Sequence, residues 1–516
     1  MPAGSDSPDV AARFPAPAVQ YETPGLEPGR VQFSTETELH GWLAALADAA
    51  RPRSAGAVRL LALGTSEGGR PIEGLLFSHE SAPDAATLLR TGRPTALLVG
   101  GQHGDEPAPA EALMVVARQL SQGRLNPLLD RINVIVVPRA NPDGAAMGAR
   151  GNAAGADVNR DHLRLATPEA QAIAALLRDY QPAVVADLHE YAPLAPWPAK
   201  FGGVPAADVL LQYATTPNLA PFVTRAAEEW FRRPLVDALA REQLRSDWYF
   251  TTSDDPADRS VAMGSSVADT LRNVAGLRQA VGLLVESRGV GLGHAEIQRR
   301  VHAQVTAVSS VLASAAARAA DLLKLRGYVE AEVSAQACQG EVVVAAAPTR
   351  SEHNLLLFDV ASGADKPIVV DWDSALDLQP KVTRRRPCGY WLAADAAPAV
   401  RRLREAGVQV RQLAENASAQ GDEYGVAVPG TTTVTALKAA GEPMRHSATP
   451  LVTIDALIDM PAGSYYVPLT QPLANLVVAA LEPDAPASDV ITGVIADAAQ
   501  VARVRVPPQA SFNDVP

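Results

Sequence analysis

The chain has 516 residues, 47% of them hydrophobic and 20% charged, which by length alone gives roughly two to four domains and a core large enough to need no disulfide or metal staple. Lys and Arg number 45 against 57 Asp and Glu, for a net charge of -12. No basic run exceeds Arg384-Arg385-Arg386, so neither nucleic acid nor an anionic membrane is an expected partner.

Two cysteines, Cys338 and Cys388, exclude a cysteine-rich zinc module. One disulfide and two free thiols remain open readings, and the redox compartment with them. No apolar run is long enough for a membrane helix, which needs about 18 residues or more. Met1 to Gln20 has no apolar signal region. A cytoplasmic location is the default expectation, and a periplasmic or secreted one if a leader has been removed. The oligomeric state is not legible.

Taken in chain order, residues 1–33 read as an irregular arm rich in Pro and Gly. From about 35 to 330 short apolar runs alternate with helical stretches. The runs are Val58–Leu63, Thr95–Val99, Ile132–Val137, Ala183–Asp187 and Leu283–Val285; the helical stretches lie near 109–121, 168–180, 270–281 and 294–325. This alternation predicts an α/β fold with a mixed central sheet flanked by helices. Thr167 is a candidate N-cap before Pro168, and Ile173, Leu176, Leu177 and Tyr180 share one helical face. Gly327 is the expected stop of the last of these helices. Beyond 330, strand-like runs at 341–345, 355–358, 368–372 and 465–469 and one helix near 398–406 predict a smaller β-rich domain. The expected division is therefore 1–330, catalytic, with an N-terminal arm, and 331–516, accessory.

Chemistry concentrates at strand ends. Gly100-Gly101-Gln102-His103-Gly104-Asp105-Glu106 follows the run Thr95–Val99 directly. A histidine and a glutamate three residues apart can both reach one zinc ion. Alone the pair is weak, because helical salt bridging produces it often. Two further runs end in the same way: Ala183–Asp187 leads to His189, and Leu283–Val285 leads to Glu286. All four side chains thus sit at carboxyl ends of predicted strands, the edge where open α/β sheets bind ligands. A His-Glu-His donor set leaves a position for water, and a separate glutamate can serve as general base. Arg150, Asn159 and Arg160 lie in the loop-rich stretch between, and a guanidinium holds a carboxylate in a bidentate fork.

His103-Gly-Asp-Glu106, Asn141-Pro-Asp-Gly144, Asp157-Val-Asn-Arg160, Asp187-Leu-His189 and Leu284-Val-Glu286, in that order, resemble the M14 family of zinc metallocarboxypeptidases, specifically bacterial members with an added C-terminal domain. The resemblance covers about 60–330. It implies one Zn²⁺ ion held by His103, Glu106 and His189, with Glu286 as general base. Arg150 would polarise the scissile carbonyl, and Asn159 and Arg160 would clamp the terminal carboxylate of a peptide substrate. Asp157 would accept a hydrogen bond from His103. The segment from Gly64 to Arg70 matches an early family segment and reads as structural.

There are departures. Many family members carry a tyrosine some twenty residues before the base, and here 259–270 contains none; Tyr249 and Tyr213 are the upstream candidates. Arg139 rivals Arg150. Asp187 reads as a buried carboxylate or a site residue, Glu190 as structural, His162 as pocket wall or substrate contact, His294 as a helix start, and Arg288 as a support for either Glu286 or the chain. Two alternative functions stand beside the peptidase: a zinc-dependent deacylase of N-acyl amino acids, and an inactive relative acting as a binding protein. The Asn141–Gly144 turn favours the peptidase.

Overall fold

In the computed structural model, which describes residues 6–50, 57–80, 83–427, 434–436 and 451–515, the three strands that end in site residues lie side by side. Among the described residues thirteen strands precede residue 386: β1 (Ala57–Thr65), β2 (Pro71–Ser78), β3 (Thr95–Val99), β4 (Asn133–Val137), β5 (Val184–Tyr191), β6 (Gly203–Pro205), β7 (Val209–Tyr213), β8 (Ser246–Trp248), β9 (Phe250–Thr251), β10 (Ser260–Met263), β11 (Val281–Arg288), β12 (Glu341–Asp359) and β13 (Asp365–Arg385). Eight of them form the central sheet in the order β1-β2-β4-β3-β5-β11-β7-β8. β4, β3, β5 and β11 run parallel, while β1, β2 and β7 join antiparallel. The sheet is mixed, as the alternating pattern predicts, and residues of the parallel strands are buried along their whole length, the mark of a sheet covered on both faces.

Helices supply that cover. Ala108–Gln122 buries Leu113, Val116 and Leu120 completely, each worth about 1.5–3 kcal/mol over exposure. Pro168–Asp179 starts where its cap predicts: Thr167 Oγ1 accepts from the Ala170 amide at 3.3 Å. The stretch near 294–325 is two helices, Ile297–Ala317 and Ala319–Ala335, and Gly327 lies inside the second instead of ending it. An isolated glycine weakens a helix by only about 1 kcal/mol, and here the buried Leu322, Val329 and Val333 on either side hold the turns. No single helix among the described residues is long and apolar enough to cross a membrane.

The segment 191–220, which no predicted run covers, contains a short helix, Trp197–Phe201, and both β6 and β7. One sequence expectation changes. The runs 341–345 and 355–358 belong to one strand, β12, and 368–372 lies within β13. The two form a long hairpin that pairs with β6 and β10. A second apolar cluster fills the space between, with Trp197, Phe201, Phe250, Val261, Met263, Leu355 and Trp372, and with Tyr249 against its edge. A third, largely antiparallel sheet occupies 389–514. Cys338 and Cys388 are joined in a disulfide, which settles the open pairing. The first five residues of the N-terminal arm lie outside the described set, as does His446. The rest of the arm is strapped down: Glu111 accepts from the Ser34 amide (2.8 Å) and hydroxyl (2.9 Å) and from the Thr23 hydroxyl.

Candidate metal centre and active site

The loop after β3 is shaped by glycine. At Gly104 a Cβ would meet the Gly144 carbonyl carbon at 1.8 Å, so only glycine lets the His103 loop lie on Asn141–Gly144, which is the capped first turn of the helix Pro142–Met147. The turn holds itself and the loop: Asn141 Oδ1 accepts from the Gly144 amide (2.8 Å), and Nδ2 donates to the Gln102 carbonyl (3.1 Å). Asp143 accepts from the Gly68 amide (2.7 Å) and from Arg70 (2.5 Å), tying in the 64–70 segment. Two motifs far apart in sequence are thus one packed unit.

His103 Nδ1 lies 2.7 Å from Glu106 Oε1, His189 Nδ1 lies 2.7 Å from Glu106 Oε2, and the two Nδ1 atoms are 3.1 Å apart. All three residues are buried, and among the described residues this is the group that could hold a metal ion. Each imidazole turns its other nitrogen to a carboxylate: His103 Nε2 to Asp157 Oδ1 at 3.0 Å, His189 Nε2 to Asp187 Oδ1 at 2.7 Å. An Nε2–H donated outward leaves the Nδ1 lone pair facing inward, the arrangement that orients ligating histidines.

Electrostatics favour a cation at this point. Burial would raise the Glu106 carboxyl, yet the His103 and His189 imidazoles hold it well below the usual carboxylate range. Burial likewise opposes charge on His189, and Asp187 and Glu106 overcome it and push its pKa well up. The carboxylates around the triad therefore demand positive charge at its centre, and the donor set fits a metal ion.

Glu286 and His189 are register partners on β11 and β5. Burial raises the Glu286 carboxyl to about 7, with Glu106 adding to it and the nearby imidazoles opposing. Arg150 stands half-exposed at the rim, its Nη1 3.2 Å from His103 Nδ1 and 3.6 Å from Glu106 Oε1, its Nη2 2.9 Å from Asp157. Arg139 lines the cavity beside His103 and Glu106 but is buried, engaged by the Ser34 carbonyl (2.6 Å) and Glu36 (3.4 Å). Arg160 is exposed and donates to the Asn159 carbonyl (2.7 Å). Asn159 is buried with its amide engaged: Nδ2 lies 2.9 Å from Asp187 Oδ2 and 2.8 Å from His189 Nε2, and Oδ1 accepts from the Leu271 amide at 2.9 Å.

Asp187 is both a buried carboxylate and a site residue, since it bonds the triad's histidine. Gln102 Nε2 donates to it at 2.6 Å, and Gln102 Oε1 lies 2.6 Å from His162 Nε2, which makes His162 a wall of the same network. Glu190, on the opposite face, pairs with Arg300 at 2.9 Å. Arg288 pairs with Asp6 (2.7 Å) and Glu296 (3.0 Å), not with Glu286. His294 stacks on Phe33 at 3.9 Å between ring centres. A cavity of about 640 Å³ opens beside His103 and Glu106, walled by Phe33, Glu36 and Arg139.

Two further residues interact electrostatically with the site. The Tyr249 hydroxyl shares the electrostatic environment of Glu286, Arg272, Arg160 and Arg150, and burial with the Glu286 charge raises its pKa. Arg272, on the helix Leu271–Leu277, is fully buried, and burial lowers its pKa. Sequence reasoning missed Arg272. Its signal was a lone arginine in the otherwise apolar or amide-bearing run Leu271-Arg-Asn-Val-Ala-Gly-Leu277.

The zinc carboxypeptidase (peptidase M14) family model matches residues 43–229, a span that holds the triad, Arg150, Asn159 and Arg160 and stops before Glu286. Carboxypeptidase 2 of Trichophyton rubrum is 27% identical over 392 residues, covering 75% of this chain and 71% of the relative. Carboxypeptidase D of Mus musculus is 36% identical over 122 residues, 21% of this chain and 9% of the relative. A metallo-carboxypeptidase from Pseudomonas aeruginosa, solved in complex with (2-guanidinoethylmercapto)succinic acid, superposes with a TM-score of 0.38 at 20% identity, over 52% of this chain and 68% of the other. By the family match residues 43–229 resemble the zinc carboxypeptidases of family M14, and with the relatives they mark the chain as a metallocarboxypeptidase.

Proposed function

We propose that the enzyme uses one zinc ion, bound by His103, Glu106 and His189, to hydrolyse the C-terminal peptide bond of peptides. The observation that carries this reading is the convergence of two Nδ1 atoms and a carboxylate within 3.1 Å of their neighbours, with Glu286 in register beside His189. Two histidines and a glutamate are a catalytic zinc set. A bound zinc ion supplies Lewis acidity, which makes water a nucleophile near neutral pH.

The chain's own residues do the rest. Glu286, with a carboxyl near neutrality, takes a proton from the attacking water and returns it to the leaving amine. Arg150, at the rim and open to substrate, polarises the scissile carbonyl and holds the oxyanion. Arg160, free beyond its bond to a neighbouring carbonyl, takes the terminal carboxylate. Asn159 acts on the same site through Asp187, to which its Nδ2 donates. Asp157 and Asp187 fix the two imidazoles. The Tyr249 hydroxyl lies within electrostatic reach of Glu286. The Cys338–Cys388 disulfide suits an oxidising compartment, so we propose a periplasmic or secreted location.

The test is a set of peptides with free and amidated C-termini, with chelator and with zinc restored. Release of the last residue from free ends alone, lost with chelator and recovered with zinc, is the expected result. Hydrolysis of N-acyl amino acids with no peptide cleaved would transfer the assignment to a deacylase, and the absence of stoichiometric zinc would transfer it to a binding protein.

A further inference from the structure

Arg272 is a buried positive charge without a carboxylate. It is 3% exposed; Nη2 donates to the Ser265 carbonyl at 2.9 Å, Nε has no partner, and no carboxylate among the described residues forms an ion pair with it. Leaving a guanidinium in that state is costly unless an anion arrives.

The placement is enforced by the fold. A Cβ at Gly282 of β11 would meet the Arg272 carbonyl oxygen at 2.2 Å, so the glycine lets the helix backbone lie on the strand that carries Glu286. A Cβ at Gly264 would meet Arg272 Nη2 at 2.7 Å, Gln212 Oε1 at 2.7 Å and Tyr249 Cδ1 at 2.8 Å. These three groups therefore crowd one point. Gln212 is not the missing partner: its Oε1 accepts from the Gly264 amide (2.9 Å), and its Nε2 donates to Thr215 Oγ1 (2.8 Å). The charges that Arg272 feels are those of the active site, namely Asp187, Tyr249, Arg160 and Glu286. Asp187 is already bonded to Gln102, Asn159 and His189. Arg160 brings a second guanidinium of the same sign. Asp269 feels both guanidiniums, yet among the described residues neither Arg160 nor Arg272 forms an ion pair, so one flank of the site holds two unpaired arginines in a chain whose net charge is -12.

We infer that Arg272 binds the side-chain carboxylate of the substrate's last residue, so that the enzyme prefers peptides ending in glutamate or aspartate. This rests on the carboxypeptidase reading above. A C-terminal Glu or Asp carries two carboxylates, one for Arg160 and one for Arg272. An aliphatic or aromatic end leaves Arg272 stranded, and a basic end sets like charges together.

The experiment is kcat/KM for benzoylglycyl-Glu, -Asp, -Leu, -Phe and -Lys with the zinc-loaded enzyme. Glu or Asp is expected to exceed Leu and Phe by about 10⁴-fold, the discrimination a site built around a buried polar group gives against a substrate lacking the partner, with Lys lowest. Arg272→Met, close in shape and uncharged, is expected to lose about that factor on Glu ends and to gain on Leu ends. Leu or Phe cleaved faster than Glu by the wild-type enzyme overturns the inference and leaves the carboxypeptidase reading intact; cleavage of no peptide overturns both. An equal loss on all ends in Arg272→Met assigns Arg272 to the α-carboxylate and also overturns it. A measurement needing no variant is inhibition of the wild-type enzyme by glutarate and by butyrate. Glutarate is expected to inhibit at least about tenfold more strongly, and equal inhibition overturns the inference.

Discussion

Glu286 and His189 are register partners across two parallel strands. The spacing of neighbouring strands, about 4.8 Å, therefore fixes the position of a carboxyl near neutrality relative to a triad histidine, with no loop between them to vary it. The expected consequence is a clean separation of chemistry from metal binding. Glu286→Gln should lower kcat by about 10²–10⁴-fold, while metal content by elemental analysis stays at the wild-type level. Turnover close to wild type would remove Glu286 from the base role.

The outward bonds of the histidines predict a second separation. Asp187 accepts from His189 Nε2 at 2.7 Å, so Asp187→Asn leaves the ligands in place and loosens one. Zinc affinity, measured by competition with a fluorescent chelator, should fall about 10–100-fold, and excess zinc should restore most activity.

Gly104 offers a steric test. An added methyl at this position would lie 1.8 Å from the Gly144 carbonyl carbon, and backbone cannot rotate away as a side chain can. Gly104→Ala should lower stability by at least about 1–3 kcal/mol and weaken metal binding, because the loop that moves carries His103. Denaturant unfolding and zinc titration report the two effects separately.

Asp489 predicts a pH dependence away from the site. It is 2% exposed, and its Oδ2 has no partner. Burial raises its carboxyl from 3.8 to about 7, with Arg402 opposing. The folded pKa lies above the unfolded one, so the contribution to stability is fully present below about pH 4 and lost as pH rises through 7. Asp489→Asn should match the wild type near pH 4 and exceed it by up to about 4 kcal/mol above pH 8, at roughly 1.36 kcal/mol per pKa unit. Parallel unfolding curves at the two pH values check the sign.

The disulfide joins positions 50 residues apart. Its reduction, or Cys338→Ser with Cys388→Ser, should lower stability by about 2–4 kcal/mol, read as a shift in the denaturant midpoint.

What was legible in the sequence was whatever local chemistry fixes. Apolar runs ending in His103, His189 and Glu286 named both the strands and the residues at their ends, because a buried parallel strand reads as a continuous apolar stretch. Thr167 before Pro168 named a helix start. What was not legible depended on partners distant in sequence. β6 and β10 are four residues or fewer and exist because β12 and β13 pair with them. Tyr249 sits far from the window where the family keeps its tyrosine, and only the fold returns it to Glu286. Asn159 reads as a clamp by motif, while its amide is engaged by Asp187 and His189. Arg272 belongs to no motif; burial without a counter-charge is what marks it.

The hairpin of β12 and β13 has a consequence in time. β13 lies against β10 through Ser260–Ala262 and Asp371–Asp373, and β10 leads directly to Gly264, the residue against which Tyr249 and Arg272 pack. A ribosome delivers every ligand and the base before it delivers that hairpin. A nascent chain paused after residue 290 carries His103, Glu106, His189 and Glu286 yet lacks the strand against which β10 pairs. Synthesis order thus sets an assembly order: the residues of the candidate site are made before the hairpin against which β10 pairs.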